Sequence, residues 1–178
     1  MGILIRKEEV KDYNAVFDLV RKAFENEVMS DHQEHFLVNR LRETDSFIPE
    51  LSLVAETDGK IVGYILLTEI GILNEETQLV TKSLALAPVA VLPEYQNKGI
   101  GGALMKASHD RAKSLGHTSI IILGHANYYP KFGYKQAIDF GIKMPFEVPH
   151  ENSMALELVE KSLVNVSGTV VYPTAFFE

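Results

Sequence analysis

The sequence predicts an α/β fold, a mixed sheet with helices on both faces, and three observations point to it. Strand-like and helix-like segments follow one another in the order β, α, α, β, β, β, α, β, α, β, β. The stretch Leu84-Ala85-Leu86-Ala87-Pro88-Val89-Ala90-Val91-Leu92 is apolar on both faces and therefore belongs in the middle of a sheet. A polar turn containing glycine then leads from that strand straight into a helix.

Taken in order, residues 3–6 read as a short strand. Asp12 is placed to cap a helix whose apolar positions Val16, Leu19, Val20, Ala23 and Phe24 share one face. A second helix starts near Ser30 or Asp31, with Glu34 completing a capping box and Phe36, Leu37 and Leu41 turned inward. Residues 51–56 and 60–70 are strands joined by Thr57-Asp58-Gly59, and Asp-Gly between apolar runs is a strong hairpin signal. The next strand, residues 79–92, contains Pro88, which has no N–H for a ladder, so the strand must bulge or leave its neighbour there. Residues 99–115 form a helix with Ile100, Ala103, Leu104, Ala107 and Leu115 inward and Gly116 as its stop. Ser119–Leu123 is a buried strand, and residues 126–132 are a short turn or helix interrupted by Pro130. Residues 134–178 hold two or three strands with long connections, the clearest at 154–158, and 168–173 adds a short edge strand.

A chain of 178 residues is one domain on length, with a core over about 3–158 and a carboxy-terminal extension over 159–178. Its 17 basic and 24 acidic residues give a net charge of -7, which repels phosphate backbones and argues against a nucleic-acid partner. The chain has no cysteine, which removes disulfides, thiolate metal sites and a thiol nucleophile together, and fits a reducing cytoplasm. Residues 1–6 lack the apolar core of a signal peptide, and no run approaches the ~20 apolar residues of a membrane helix. The expectation is a cytoplasmic protein with no membrane partner.

Strand, polar turn, glycine, helix is the arrangement that points unsatisfied backbone N–H groups at an anion. Gly99 and Gly101 let the backbone approach a phosphate, and Lys98 adds a full positive charge. Lys98 precedes Gly99, which is the wrong order for a Walker loop, and Leu104 stands where a dinucleotide fingerprint needs its third glycine. The alternative is that Gly99, Gly101 and Gly102 serve only the packing of the helix on the sheet.

Gln96-Asn97-Lys98-Gly99-Ile100-Gly101 resembles the Q/R-x-x-G-x-G/A signature of the GNAT superfamily of N-acetyltransferases. Upstream, Val91-Leu92-Pro93-Glu94-Tyr95 resembles the family's V-x-P-x-Y/F segment. Downstream, Tyr129-Pro130-Lys131-Phe132-Gly133-Tyr134 resembles its Y-x-x-x-G-F element, with tyrosine for the final phenylalanine. The resemblance spans residues 3–158 in element order and implies a mostly antiparallel sheet with a central splayed strand pair. It implies acetyl-CoA as donor and no metal. Backbone at Val89, Ala90 and Val91 would meet the pantetheine arm, and the loop Gln96, Asn97, Lys98, Gly99, Ile100, Gly101 and Gly102 the pyrophosphate. Asn127 is the nearest match to an asparagine that positions the cofactor arm in many relatives.

Transfer of an acetyl group to an amine requires the ammonium to lose a proton and the departing thiolate to gain one. Tyr129 has the spacing of the family's general-acid tyrosine, and a phenol with reference pKa ~10 stays protonated at neutral pH. Tyr128 beside it could take the same role, and a buried ring closing the sheet is the structural alternative. Many relatives carry a glutamate on the central strand as base, but residues 84–92 hold no carboxylate. Glu27, Asp31 and Glu69 are positional candidates for the base, alongside a water chain. His32 and His35, at i, i+3 spacing, read as surface residues rather than metal ligands, and His125 lies near the cleft. Residues 143–150 form an extended segment stiffened by Pro145 and Pro149, either a wall of the acceptor pocket or a rigid cover for the sheet edge. The sequence thus leads to an N-acetyltransferase acting by direct attack of a small-molecule or peptide amine, with homodimers known among relatives. The alternatives are a non-catalytic acyl-CoA-binding domain and a nucleotide-binding protein.

Overall fold

A computed structural model describes residues 2–178. After β1 (Leu4–Lys7) come helices α1 (Tyr13–Phe24) and α2 (Glu34–Arg42), then strands β2 (Phe47–Thr57), β3 (Lys60–Leu73) and β4 (Val80–Val91). Helix α3 (Ile100–Ser114) leads to β5 (Ser119–Leu123), followed by β6 (Lys135–Gln136), β7 (Ile142–Lys143), β8 (Ser153–Glu157) and β9 (Gly168–Val171). The predicted order therefore holds through β5, and the region beyond carries four short strands. Strand neighbours run β1-β2-β3-β4-β5-β8-β6, with β9 paired to both β3 and β7. The β4–β5 and β7–β9 pairs are parallel, while β1–β2, β2–β3, β3–β9, β5–β8 and β6–β8 are antiparallel. The fold is thus a mixed, mostly antiparallel sheet with three helices. The tail strand β9 is not an edge strand as its position in the sequence implied, because Gly71–Leu73 and Ile142–Lys143 flank it on either side.

The chain forms two compact units. One takes in the chain up to Thr68, Ala87–Arg111 and Ala175–Glu178, and the other Glu69–Leu86 and Ala112–Thr174.

In the first unit the β2–β3 hairpin turns at Asp58 (φ 49°) and Gly59 (φ 76°), both in the left-handed region that primed hairpin turns require. Alternation along β3 then sends side chains to two opposite faces. On one face the buried Tyr64 hydroxyl meets Ser52 Oγ at 2.7 Å, and Ser52 donates to Glu8 at 2.9 Å. Glu8 in turn receives two hydrogen bonds from Arg42 of α2, at 2.5 and 3.2 Å. On the other face Gly63 lies beneath α3, where a Cβ would sit 2.9 Å from Leu104 and 3.1 Å from Ile100. Helices therefore cover both faces of this hairpin.

Helix starts are where the sequence misleads. Asp12 makes no side-chain cap to α1, because its carboxylate receives two hydrogen bonds from Arg6 and one from the Glu9 N–H. Helix α2 opens at Glu34, later than expected, since Ser30 donates to the Glu34 carboxylate and Asp31 accepts the Gln33 N–H in the preceding turn. The buried face of the helix is His35, Val38 and Leu41, and Phe36 is exposed. In α3 the inward positions include Ile100, Leu104, Met105 and Ala112, whereas Leu115 falls past the helix end and is exposed. Gly116 stops the helix at φ 93° as predicted.

In the second unit β5 is buried from Ser119 to Ile122 and pairs with β8 along its whole length. Its parallel ladder to β4 covers Leu84↔Ile120 and Ala85↔Ile121, so β4 has left β5 before it reaches Pro88, as the missing N–H requires. No helix of the described residues is long and apolar enough to cross a membrane.

Candidate functional site

The glycine loop belongs to the first unit. Beyond β4 the Leu92 N–H donates to the Val62 carbonyl at 2.9 Å, and Gln96 Nε2 donates to the Val91 carbonyl at 3.1 Å. Gln96 thus braces the loop against the end of the strand that carries Val89, Ala90 and Val91. Asn97 (φ 61°) and Gly99 (φ 83°) both take left-handed backbone, which bends the chain sharply into α3. Ala103 N–H is the first to bond back into the helix, to the Gly99 carbonyl at 3.0 Å. The N–H groups of Ile100, Gly101 and Gly102 open the helix ahead of it, at the positive end of its dipole. The Ile100 side chain is buried and anchors this turn, while Gln96, Asn97, Lys98 and Gly99 are exposed or partly so.

Positive charge gathers beside this turn. Lys98 Nζ lies 5.3 Å and Lys60 Nζ 5.4 Å from the centre of the Tyr95 ring, within cation–π range. Lys60 also approaches Glu94 at 3.7 Å. The hairpin brings Lys60 here, and no motif marks it. A helix N-terminus with the exposed Lys98 two residues before its first residue has the donor set and charge for a pyrophosphate.

Tyr129, Tyr128 and Asn127 belong to the second unit. Tyr129 opens a single 3-10 turn, Tyr129–Phe132, closed by Gly133 at φ 98°. The residue is only 9% exposed and belongs to the core of this unit. It meets Tyr128 edge-on at 5.0 Å and Tyr134 at 5.9 Å. One flank of the ring rests on Gly124, where a Cβ would overlap ring carbon Cε2. Gly124 is held in turn by Asn152, whose carbonyl accepts the Gly124 N–H at 3.0 Å and whose Nδ2 donates to the Gly124 carbonyl at 2.9 Å. Neither Gly124 nor Asn152 stood out in the sequence, although a glycine directly after a buried strand is a recognised mark of close approach. Tyr128 is half-buried, with Lys131 Nζ 4.0 Å above its ring, and burial raises its phenol above the ordinary value. Burial also raises the Tyr134 phenol, and the neighbouring Tyr129 adds to that shift. Asn127 and His125 are exposed on the loop that precedes the turn.

Comparison with known proteins gives this geometry a family. Residues 49–136 match the acetyltransferase (GNAT) domain family. The stretch includes β3, β4, the glycine loop, α3, β5 and the Tyr129 turn. The uncharacterized N-acetyltransferase YjhQ of Escherichia coli (strain K12) is 39% identical over 121 residues, 67% of this chain and 66% of that protein. The chain belongs to the GNAT superfamily. A second uncharacterized N-acetyltransferase of the same strain, YhbS, is 29% identical over 175 residues, 98% of both chains. Among solved structures, the GNAT protein YhbS from Escherichia coli in complex with CoA superposes with a TM-score of 0.88 at 25% identity, over 99% of this chain and 92% of that one. A GNAT acetyltransferase from Brucella melitensis in complex with acetyl-CoA gives 0.80 at 28% identity, over 98% of each.

Within this GNAT domain the remaining candidates sort by their partners. Glu69 pairs with Lys82 at 3.8 Å, Asp31 caps the turn before α2, and Glu27 is half-buried in the α1–α2 connection. His32 is exposed, with Nδ1 2.8 Å from the Phe24 carbonyl oxygen. His35 is not the surface residue its spacing implied. It is buried and packs edge-on against Phe17 of α1 at 4.8 Å, and burial lowers its pKa. Among the described residues there is no group of three or more His, Asp or Glu side chains that could hold a metal ion. Residues 138–153 enclose a concavity of about 600 Å³ that includes Met144, Phe146, Glu147 and His150.

Proposed function

We propose that this chain transfers the acetyl group of acetyl-CoA to a primary amine, of a small molecule or a peptide, by direct attack on the thioester. Membership of the superfamily makes it an acyltransferase. The observation that carries the donor assignment is the opening turn of α3, where three backbone N–H groups, preceded by Lys98, come ahead of the first intrahelical bond. Solved relatives hold CoA and acetyl-CoA. Lys98, Gly99, Ile100, Gly101 and Gly102 bind the pyrophosphate, with Gln96 and Asn97 shaping the loop. Val89, Ala90 and Val91 offer backbone to the pantetheine arm, and Asn127 positions it. Acetyl-CoA supplies an activated acetyl group as a thioester.

Tyr129 holds the proton that the departing thiolate takes up. Its support is positional, since Gly124, Tyr128 and Tyr134 confine the ring on three sides. No cysteine exists to carry an acetyl intermediate, which favours direct transfer. The whole chain acts as one acetyltransferase domain in the cytoplasm, without a nucleic-acid or membrane partner.

A second reading, a non-catalytic acyl-CoA-binding domain, is favoured by the lack of any carboxylate on residues 84–92. Incubation with acetyl-CoA and a panel of primary amines, with free thiol as readout, separates the two. Amine-dependent thiol release is the expected result. Tight acetyl-CoA binding without release by any amine would establish the second reading.

A further inference from the structure

The concavity of about 600 Å³ within the second unit is of the size that small ligands occupy. Its apolar lining includes the buried Ile142 and the side chains of Met144 and Phe146. Tyr172 fixes that lining, stacking on Phe146 at 6.2 Å and donating its hydroxyl to Met144 Sδ at 3.5 Å. Pro145 and Pro149 restrict the backbone on either side of Phe146 and Glu147. The concavity therefore exists before any ligand arrives, and its ordering cost is already met.

Two opposite charges line it, Lys143 and Glu147, both exposed and neither in an ion pair among the described residues. A ligand bearing only an ammonium would meet repulsion from Lys143. One bearing only a carboxylate would meet it from Glu147. A ligand with both charges and an apolar body matches the two charges and the apolar residues of the lining, with His150 and Ser153 at its margin. Position adds to this, because Ser153 lines the concavity and adjoins Asn152, which grips Gly124 under the Tyr129 ring.

We propose that the concavity binds a free α-amino acid with a large apolar side chain, Glu147 facing its ammonium and Lys143 its carboxylate, and that this amino acid is the acetyl acceptor. The proposal rests on the acetyltransferase reading. In the transfer the ammonium first gives one proton to solvent. The nitrogen then bonds to the acetyl carbon as the C–S bond breaks, the nitrogen loses a second proton, and the thiolate gains one. The products are an N-acetyl amino acid, CoA with its free thiol, and one net proton. Acetylation removes the positive charge that Glu147 holds, so the anionic product is repelled and leaves.

Calorimetry on the full chain in the presence of CoA, with L-phenylalanine, phenethylamine and 3-phenylpropanoate as probes, tests it. Phenylalanine should bind about 10-fold tighter than either one-charge probe, the worth of a charge-assisted contact. Glu147→Gln should weaken phenylalanine and strengthen 3-phenylpropanoate, closing the gap between them, and Lys143→Met should do the same for phenylalanine and phenethylamine. Equal binding of all three probes, or indifference to both substitutions, overturns the proposal. Thiol release from acetyl-CoA keeps the two readings apart. Release with other amines but no phenylalanine binding sinks the amino-acid pocket and leaves the acetyltransferase standing. Phenylalanine binding with no release by any amine sinks the transfer reading and keeps the pocket.

Discussion

The ring of Tyr129 lies on the Cα of Gly124 so closely that a Cβ at residue 124 would overlap the ring's Cε2, with Cδ2 only 3.0 Å away. The clash would be with a ring that Tyr128 and Tyr134 also flank, so the ring cannot shift without disturbing them. Gly124→Ala should therefore displace Tyr129 and cost about 1–3 kcal/mol, the usual range for overpacking. Thermal unfolding reports the stability loss and steady-state thiol release reports the activity. A variant with wild-type Tm and wild-type kcat would show that the ring is not held in place by this contact.

Tyr129 itself is tested by removing one oxygen. Tyr129→Phe keeps the ring that Gly124 supports and takes away only the proton donor. Turnover should fall by roughly 10²–10⁴-fold, the range for a general acid, while the Kd for acetyl-CoA stays near wild type. Tyr128→Phe should have a much smaller effect, since its ring is engaged by Lys131 at 4.0 Å. Reversal of that order would transfer the acid role to Tyr128.

The donor loop fails for a different physical reason. Gly99 has open space around it, with no atom within 4 Å of where a Cβ would project, but it sits at φ 83°. Gly99→Ala thus costs backbone strain rather than clash, about 1–2 kcal/mol for an L-residue held in left-handed conformation. Relief of that strain means moving the N–H groups of Ile100–Gly102, so the KM for acetyl-CoA should rise several-fold with kcat at saturating donor preserved. A fall in kcat with KM unchanged would contradict the pyrophosphate assignment.

These sites differ in how far the sequence exposes them. The glycine loop is local, because strand, bend, glycine and helix are contiguous from Val89 to Gly102, and hydrogen bonds within a few residues complete it. The Tyr129 turn was equally visible, but its support was not. Gly124 and Asn152 meet only because β5 and β8 align Leu123 with Ser153, a pairing across about thirty residues that no local pattern encodes. Lys60 reaches Tyr95 through the β2–β3 hairpin and its packing against the end of β4. The tail strand looked like an edge because its partners, β3 and β7, come from distant parts of the chain. Helix α2 was misphased by a local effect, the competition of Ser30 and Asp31 side chains for the backbone and Glu34 of the turn before it.

Stability should depend on pH in two separate windows. Burial holds the His109 imidazole at about 4, below its ordinary 6.5, with Asp110 pulling weakly the other way. As pH falls below 6.5 the unfolded chain takes up this proton before the folded one does, so stability drops between 6.5 and about 4. His35 and His117 are lowered in the same direction by burial, so His109→Gln should flatten this slope without abolishing it. Asp12 acts in a lower window. Hydrogen bonds from Arg6 hold its carboxyl below the ordinary 3.8 against the opposing effect of burial. Its contribution is complete above 3.8 and is lost as pH falls through the lower folded value. Asp12→Asn should therefore be less stable than wild type by a constant margin from pH 8 to about 4, and the margin should narrow below that. Urea midpoints followed by circular dichroism from about pH 8 to about pH 3 measure both effects. A margin for Asp12→Asn that persists unchanged at the acid end would mean that the Arg6 contact contributes through its geometry and not through its charge.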